Sequence, residues 1–246
     1  FIITGTEAKK VMIRGIGPSL ANFGLPGVMA DPTLELHQGN ATIARNDNWK
    51  TRPDGSSQQT EIEGTGIPPS NDLESAIVIT LNPGTYTAIL ADKNGAPGLG
   101  IVEVYDLAQQ SNSKLANIST RGFVDTGDNV MIGGFIAGGG SVGGYAGELV
   151  RAIGPSLASV GVAGALQDTM LELYDGNGVL VASNDNWKIR PDGSSQENDI
   201  RATTIPPTDD RESAIVAPLA PGNYTAIVRG KNNSLGIAVV EAYNLQ

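Results

Sequence analysis

The chain has 246 residues, 40% hydrophobic and 17% charged, with 32 glycines, 14 prolines and no cysteine. The length suits one large or two modest domains with real cores, and the missing cysteine excludes disulfides and thiolate metal sites. A net charge of −10 excludes a simple phosphate-backbone partner, and no apolar run approaches the roughly 18 residues needed for membrane insertion.

Taken in order, the chain opens at Phe1-Ile2 inside an apolar run, with no leader peptide, and reads as a processed or excised piece of something longer. Arg14-Gly-Ile-Gly-Pro-Ser-Leu20 follows, where Pro18 predicts a short helical turn stopped by glycine. Ser56 with Gln59 has capping-box spacing and predicts one or two helical turns. Leu81-Asn-Pro-Gly84 reads as a type II turn ahead of a strand from Tyr86 to Leu90, and Ile101 to Leu107 as a closing strand. Ala108 to Lys114, with its Gln and Ser content, reads as a linker.

Beyond it come Leu115 to Val124 and Asn129 to Ile136, and then the earlier landmarks return. Arg151-Ala-Ile-Gly-Pro-Ser-Leu157 repeats the first motif, with a second short turn at Pro155. Leu171-Glu-Leu-Tyr174 and Val179-Leu-Val-Ala182 flank Asp175-Gly-Asn-Gly178, a hairpin signal because Gly and Asn tolerate positive φ. Ser194 with Glu197 predicts a second helical turn. Leu219-Ala-Pro-Gly222 leads into a strand from Tyr224 to Val228, and Ala238 to Leu245 closes the chain.

These returns form one duplication. Asn46-Asp-Asn-Trp-Lys50 matches Asn184-Asp-Asn-Trp-Lys188, and Arg52-Pro-Asp-Gly-Ser-Ser-Gln58 matches Arg190 to Gln196. Glu74-Ser-Ala-Ile-Val78 matches Glu212-Ser-Ala-Ile-Val216, at an offset that stays at 137 to 138. Phe1-Ile2 matches Phe135-Ile136, so the first copy lacks the segment that opens the second. The expected organisation is a first repeat over 1–107, a linker over 108–114 and a second repeat over 115–246. Turn-bounded, β-branched runs make the expected class all-β, one sandwich per repeat with short helical turns.

The Leu-Glu-Leu-Tyr-Asp-Gly-Asn-Gly hairpin, the Asn-Asp-Asn run and the Leu-x-Pro-Gly-x-Tyr-Thr-Ala-Ile segment resemble bacterial pre-peptidase C-terminal domains, over about 31–107 and 168–246. That resemblance implies jelly-roll-like sandwiches on secreted or cell-surface proteins, some of which bind calcium. The Ile-Gly-Pro-Ser-Leu segments lie outside it and are similar to repeats in large surface proteins of environmental bacteria. Family members accompany enzymes or surface proteins and are not themselves catalytic.

The residues agree with a non-catalytic role. The one histidine, His37, is replaced by Tyr174 in the second repeat, so no duplicated Ser-His or Cys-His system exists. Hard oxygen donors in loops suit calcium. The candidates are Asp47, Asn48, Asp72 and Glu74, and again Asp185, Asn186, Asp210 and Glu212, with Asn46, Asn71, Asn184 and Asp209 beside them. The alternative is that these residues cap turns and bond local backbone. Trp49 and Trp187 are either stacking anchors for a sugar or protein partner, or plugs in their own repeats. Arg14 and Arg151, inside apolar strands, are expected to pair across strands with glutamates, with Glu103 and Glu241 among the candidates.

The functional expectation is an extracellular structural protein that self-associates into filaments or a surface layer. A neighbouring chain would donate a strand to the edge exposed at Phe1. The alternative is an adhesion or binding module for a glycan or a cell-surface partner.

Overall fold

In the computed structural model, which describes residues 1–138 and 144–245, the chain divides into unit 1, Phe1–Ala116, and unit 2, Asn117–Gln246. Both are antiparallel β-sandwiches, so the all-β expectation holds.

Unit 1 runs β1 (Ile2–Thr4), β2 (Lys9–Ile16), β3 (Pro32–Gln38), β4 (Ala41–Asn46), helix α1 (Gln59–Glu63), β5 (Ser75–Leu81), β6 (Gly84–Thr85), β7 (Thr87–Asp92) and β8 (Ile101–Asp106). One sheet has the order β5-β2-β8 and the facing sheet β4-β3-β7. Unit 2 follows with β9 (Lys114–Val124, its first three residues in unit 1), β10 (Met131–Ala137), β11 (Ala146–Ile153), β12 (Thr169–Asp175), β13 (Leu180–Asn184), helix α2 (Glu197–Ala202), β14 (Ser213–Leu219), β15 (Gly222–Gly230) and β16 (Gly236–Asn244). Its sheets are the same two, each one strand wider: β14-β11-β16-β9 and β10-β15-β12-β13.

Alternation along the strands builds each core. In unit 1, Val11, Ile13, Leu34, Leu36 and Ile77 meet between the sheets. In unit 2, Val150, Leu171, Leu173, Val228 and Val240 do the same, joined by Val124 and Met131 from β9 and β10. Met12, between Val11 and Ile13, is buried too, because it faces outward onto Trp49, Ile62 of α1 and Ala76. Leu149 packs likewise on Trp187, Ile200 and Ala214. The central strand of each unit is thus covered on both faces at these positions, which is why Val11-Met12-Ile13 and Leu149-Val150 are apolar in succession rather than alternating.

The two cores solve one volume problem differently. Unit 2 has Val228, Ala152 and Ala238 in one core at the equivalent positions, whereas unit 1 places the larger Leu90 against Gly15 and Gly100. A Cβ at Gly15 would lie 2.5 Å from Leu90 Cδ1, and one at Gly100 2.7 Å from Leu90 Cδ2. The added leucine methyl occupies space that the alanines fill in the other unit.

The short turns form where proline starts them: Pro18–Phe23 and Pro155–Val160 are 3-10 helices ended by Gly24 and Gly161 at φ 77° and 86°. The capping-box expectation differs in detail. Ser56 and Ser194 bond to Asp54 and Asp192 instead, and α1 and α2 begin after Gln58 and Gln196 with no side-chain cap. The segment read as a linker is folded into unit 1, since Ser113 is buried and its hydroxyl donates to Glu7 O at 2.6 Å.

Candidate functional site

The duplicated motifs converge in each unit on a buried glutamate. Glu74 and Glu212 are fully buried at the start of the strand that pairs with β2 or β11. Glu74 Oε1 accepts from Gly17 N (3.3 Å), Ser19 N (3.0 Å) and Ser19 Oγ (2.5 Å), while Oε2 accepts from Asn71 N (3.2 Å). Glu212 repeats the set with Gly154 N, Ser156 N, Ser156 Oγ and Asp209 N, and adds Thr208 N, the last two both at 3.2 Å. The Gly-Pro-Ser-Leu turn and the later loop are therefore tied by one carboxylate.

The Asn-Asp-Asn-Trp run works beside it. Asn46 Nδ2 donates to Asn48 O and Thr51 O, and its Oδ1 accepts from Ala76 N at 2.9 Å. Asn184 does the same with Asn186 O, Ile189 O and Ala214 N. This side chain takes the place of a strand partner and fixes the loop that carries the tryptophan. Trp49 N and Trp187 N then donate to the Glu74 and Glu212 carbonyls at 2.8 Å.

The two tryptophans are 4% and 2% exposed. Lys50 lies over Trp49, and Lys188 and Arg201 over Trp187. Trp49 and Trp187 are corrected from candidate stacking anchors to plugs, because neither ring has a free face for a sugar.

The arginine expectation is met. Arg14 pairs with Glu103 at 2.5 Å and also donates to Ile67 O and Tyr105 Oη. Arg151 pairs with Glu241 and donates to Ile205 O and Tyr243 Oη. Burial and the adjacent glutamate push both tyrosine hydroxyls up. His37 bonds Glu35 at 2.9 Å within β3.

The proposed calcium ligands do not gather into one cluster per unit. Asp72 and Asp210 are exposed and hold Lys50 and Lys188 at 2.6 Å. Glu74 and Glu212 face N–H and O–H donors, as above. Asn48 and Asn186 contribute backbone carbonyls to Asn46 and Asn184. Among the described residues, no group of three or more His, Asp or Glu side chains is placed to hold a metal ion.

Asp47 and Asp185 instead enter an arrangement that the sequence reading missed. Lys93 Nζ lies 2.6 Å from Asp47 and 3.8 Å from Asp31, and Lys231 Nζ 2.6 Å from Asp185 and 3.9 Å from Asp168. Oδ1 of all four aspartates is buried without a hydrogen-bond partner. The Asp47 and Asp185 carboxylates raise the pKa of Lys93 and Lys231. Burial, with Asp185 adding to it, pushes the Asp168 carboxyl up against the opposing pull of Lys231. The signal was present, since all three residues recur at the repeat offset, but they lie far apart in sequence.

Unit 2 has a hollow of about 200 Å³ beside Arg151, lined by Ser156, Pro206, Pro207 and Glu241. It is smaller than the roughly 300–1,000 Å³ usual for small-molecule sites. No family model and no curated protein matches the chain. A solved structure described as "Structure of infectious bursal disease virus Gt strain" is similar at a TM-score of 0.16 and 10% identity, and the chain spans 98% of its own length and 58% of that one. A likeness of that size carries no argument about fold or function, and what stands is the geometry: two all-β sandwiches, each closed around a buried glutamate.

Proposed function

We propose that this chain is a non-catalytic structural protein of the cell exterior, whose tandem sandwiches assemble into a filament or surface layer. The observation that carries the reading is that the duplicated polar motifs close on themselves. The Glu, Asn, Ser and Arg side chains repeated in both units bond backbone and neighbours within their own unit, and both tryptophans are buried there. Residues kept twice for shape fit a building block, and such blocks need contacts between copies. Light scattering and negative-stain microscopy of the purified chain across a concentration series check this. Concentration-dependent oligomers or filaments are the expected result, and monodisperse monomers throughout overturn it.

Calcium enters as a second reading, through the donorless Oδ1 atoms of Asp31, Asp47, Asp168 and Asp185. Lysine and cation compete there, so binding in the weak range of extracellular modules, about 10⁻⁴–10⁻³ M, is expected. Calorimetric titration should show about one ion per unit, with Lys231→Met tightening the unit 2 site. No heat at millimolar calcium removes calcium from the reading.

A further inference from the structure

The duplication is an internal control for the surface, because a side chain that the fold itself requires should be met in both copies. Along one side of unit 2 it is not. Met170, Val179, Leu180 and Ile189 are 37%, 59%, 50% and 47% exposed. The same places in unit 1 hold Thr33, Ala41, Thr42 and Thr51. Unit 1 closes an equivalent sandwich with three threonines and an alanine there, so the fold does not call for the four larger apolar side chains. A patch of exposed apolar surface that the fold does not need marks a contact.

The four residues follow the β12–β13 edge. Leu171 and Leu173 point into the core, so alternation puts Met170 and Tyr174 on the outer face, and Leu180 stands opposite Tyr174. Ile189 is tied to the other end of β13, where its carbonyl accepts from Asn184 Nδ2 at 2.8 Å. Among the described residues, β13 is the last strand of its sheet, and β4 is the last strand of the matching sheet in unit 1. The two edges are finished differently. β4 carries Arg45, exposed and 2.9 Å from Glu35, and Thr42, whose Oγ1 lies 3.4 Å from His37 Nδ1. Unit 2 has Ser183 and Leu180 at those places, and no charged residue from Gly176 to Asn184. A charge on an edge strand discourages pairing with another strand, and β13 has none.

We propose that β13 is a contact between two copies of this chain, paired antiparallel about a two-fold axis through Val181. This rests on the assembly reading above and names one of its contacts. An open edge offers a row of N–H and C=O groups that another strand satisfies in register. A second copy brings such a strand, and brings it uncharged. The chain carries a net charge of −10, so copies repel over much of their surface, and a contact between them belongs where charge is missing. Pairing about Val181 sets Leu180 opposite Ala182 and Val179 opposite Ser183. The same operation on β4 would set Ala41 opposite Arg45 and bury a guanidinium, which excludes unit 1 from this role. One short strand and a few apolar side chains fall below the ~1,200 Å² of a standard interface, so the dimer is weak. The contact is isologous and closes at two copies, so a longer assembly uses a different contact as well.

Sedimentation velocity of the purified full chain from about 10 μM to 1 mM, with amide exchange at both ends of that range, is the test. A monomer–dimer equilibrium is expected, with the amides of Val181–Ser183 gaining protection as the dimer forms. Leu180→Thr combined with Ser183→Arg copies unit 1, and Glu172, opposite Ser183, receives the arginine as Glu35 receives Arg45. That variant should keep the unfolding midpoint of unit 2 and weaken the dimer about tenfold or more. Phe123→Thr removes an equally exposed side chain from β9 in the facing sheet and should leave the dimer unchanged. A dimer indifferent to the double variant, or one that forms without protection on β13, would overturn the proposal and leave the assembly reading standing. Monomers at every concentration would sink both.

Discussion

Glu212→Ala is expected to destabilise unit 2 by ~3–5 kcal/mol, the cost typical of stripping the partner from a fully buried charged hydrogen-bond set. The substitution leaves four backbone N–H groups, of Gly154, Ser156, Thr208 and Asp209, facing a void where water has little access. It also unties the 3-10 turn from the loop that precedes β14. Glu212→Gln should be milder, at about 1–3 kcal/mol, because one amide oxygen still accepts while the NH2 meets N–H donors. Glu74→Ala should act in the same way on unit 1. Urea unfolding followed by amide exchange, which reports each unit separately, makes the measurement. A loss below about 1 kcal/mol would mean that the turn is held by its own backbone and that the glutamate is dispensable.

Glu148→Val is expected to stabilise unit 2, and the gain should depend on pH. Glu148 is 4% exposed in the middle of the sheet, where unit 1 has the fully buried Val11. Burial pushes its carboxyl from 4.5 up to about 7, opposed by a hydrogen bond from Asn244 Nδ2 at 3.1 Å. The folded state therefore holds a proton that the unfolded chain releases earlier. Below about pH 4.5 the group is protonated in both states and carries no ionisation penalty. Between 4.5 and 7 the unfolded chain ionises first, so stability is lost as pH rises, and above 7 the loss is complete. That loss is about 3 kcal/mol for a shift of this size. The difference in stability between Glu148→Val and the parent should widen from pH 4.5 to 7 and then stay flat. A difference that does not vary across that window would show that the carboxylate reaches water.

The class and the repeat were legible because they are written in local signals. Proline and glycine mark the turns, β-branched runs mark the strands, and a fixed offset marks the duplication. The Arg14–Glu103 pair was legible for the same reason, since charges inside apolar strands have few places to go. Glu74 was read with Asp72 as a ligand because a loop rich in carboxylates looks alike whether it meets a cation or backbone N–H groups. Three of its four donors, the N–H groups of Gly17, Ser19 and Asn71, belong to the main chain and leave little trace in residue type. The Asp31–Lys93–Asp47 arrangement was missed because its members flank three strands far apart in sequence, and only the β4-β3-β7 pairing brings them to one end of the same sheet. The double coverage of β2 was half legible. Its apolar run announces burial, but the sequence does not announce that Trp49 and α1 supply the second cover.

The placement of the last strand in each unit has a mechanical consequence. In unit 2, β16 lies between β11 and β9 and is gripped along both sides, whereas β8 in unit 1 is gripped by β2 alone. A load applied through the chain must shear two ladders to extract β16 and one to extract β8, and yield under load follows the barrier to rupture rather than resting stability. Unit 1, as described by these ladders, is the fuse of the pair.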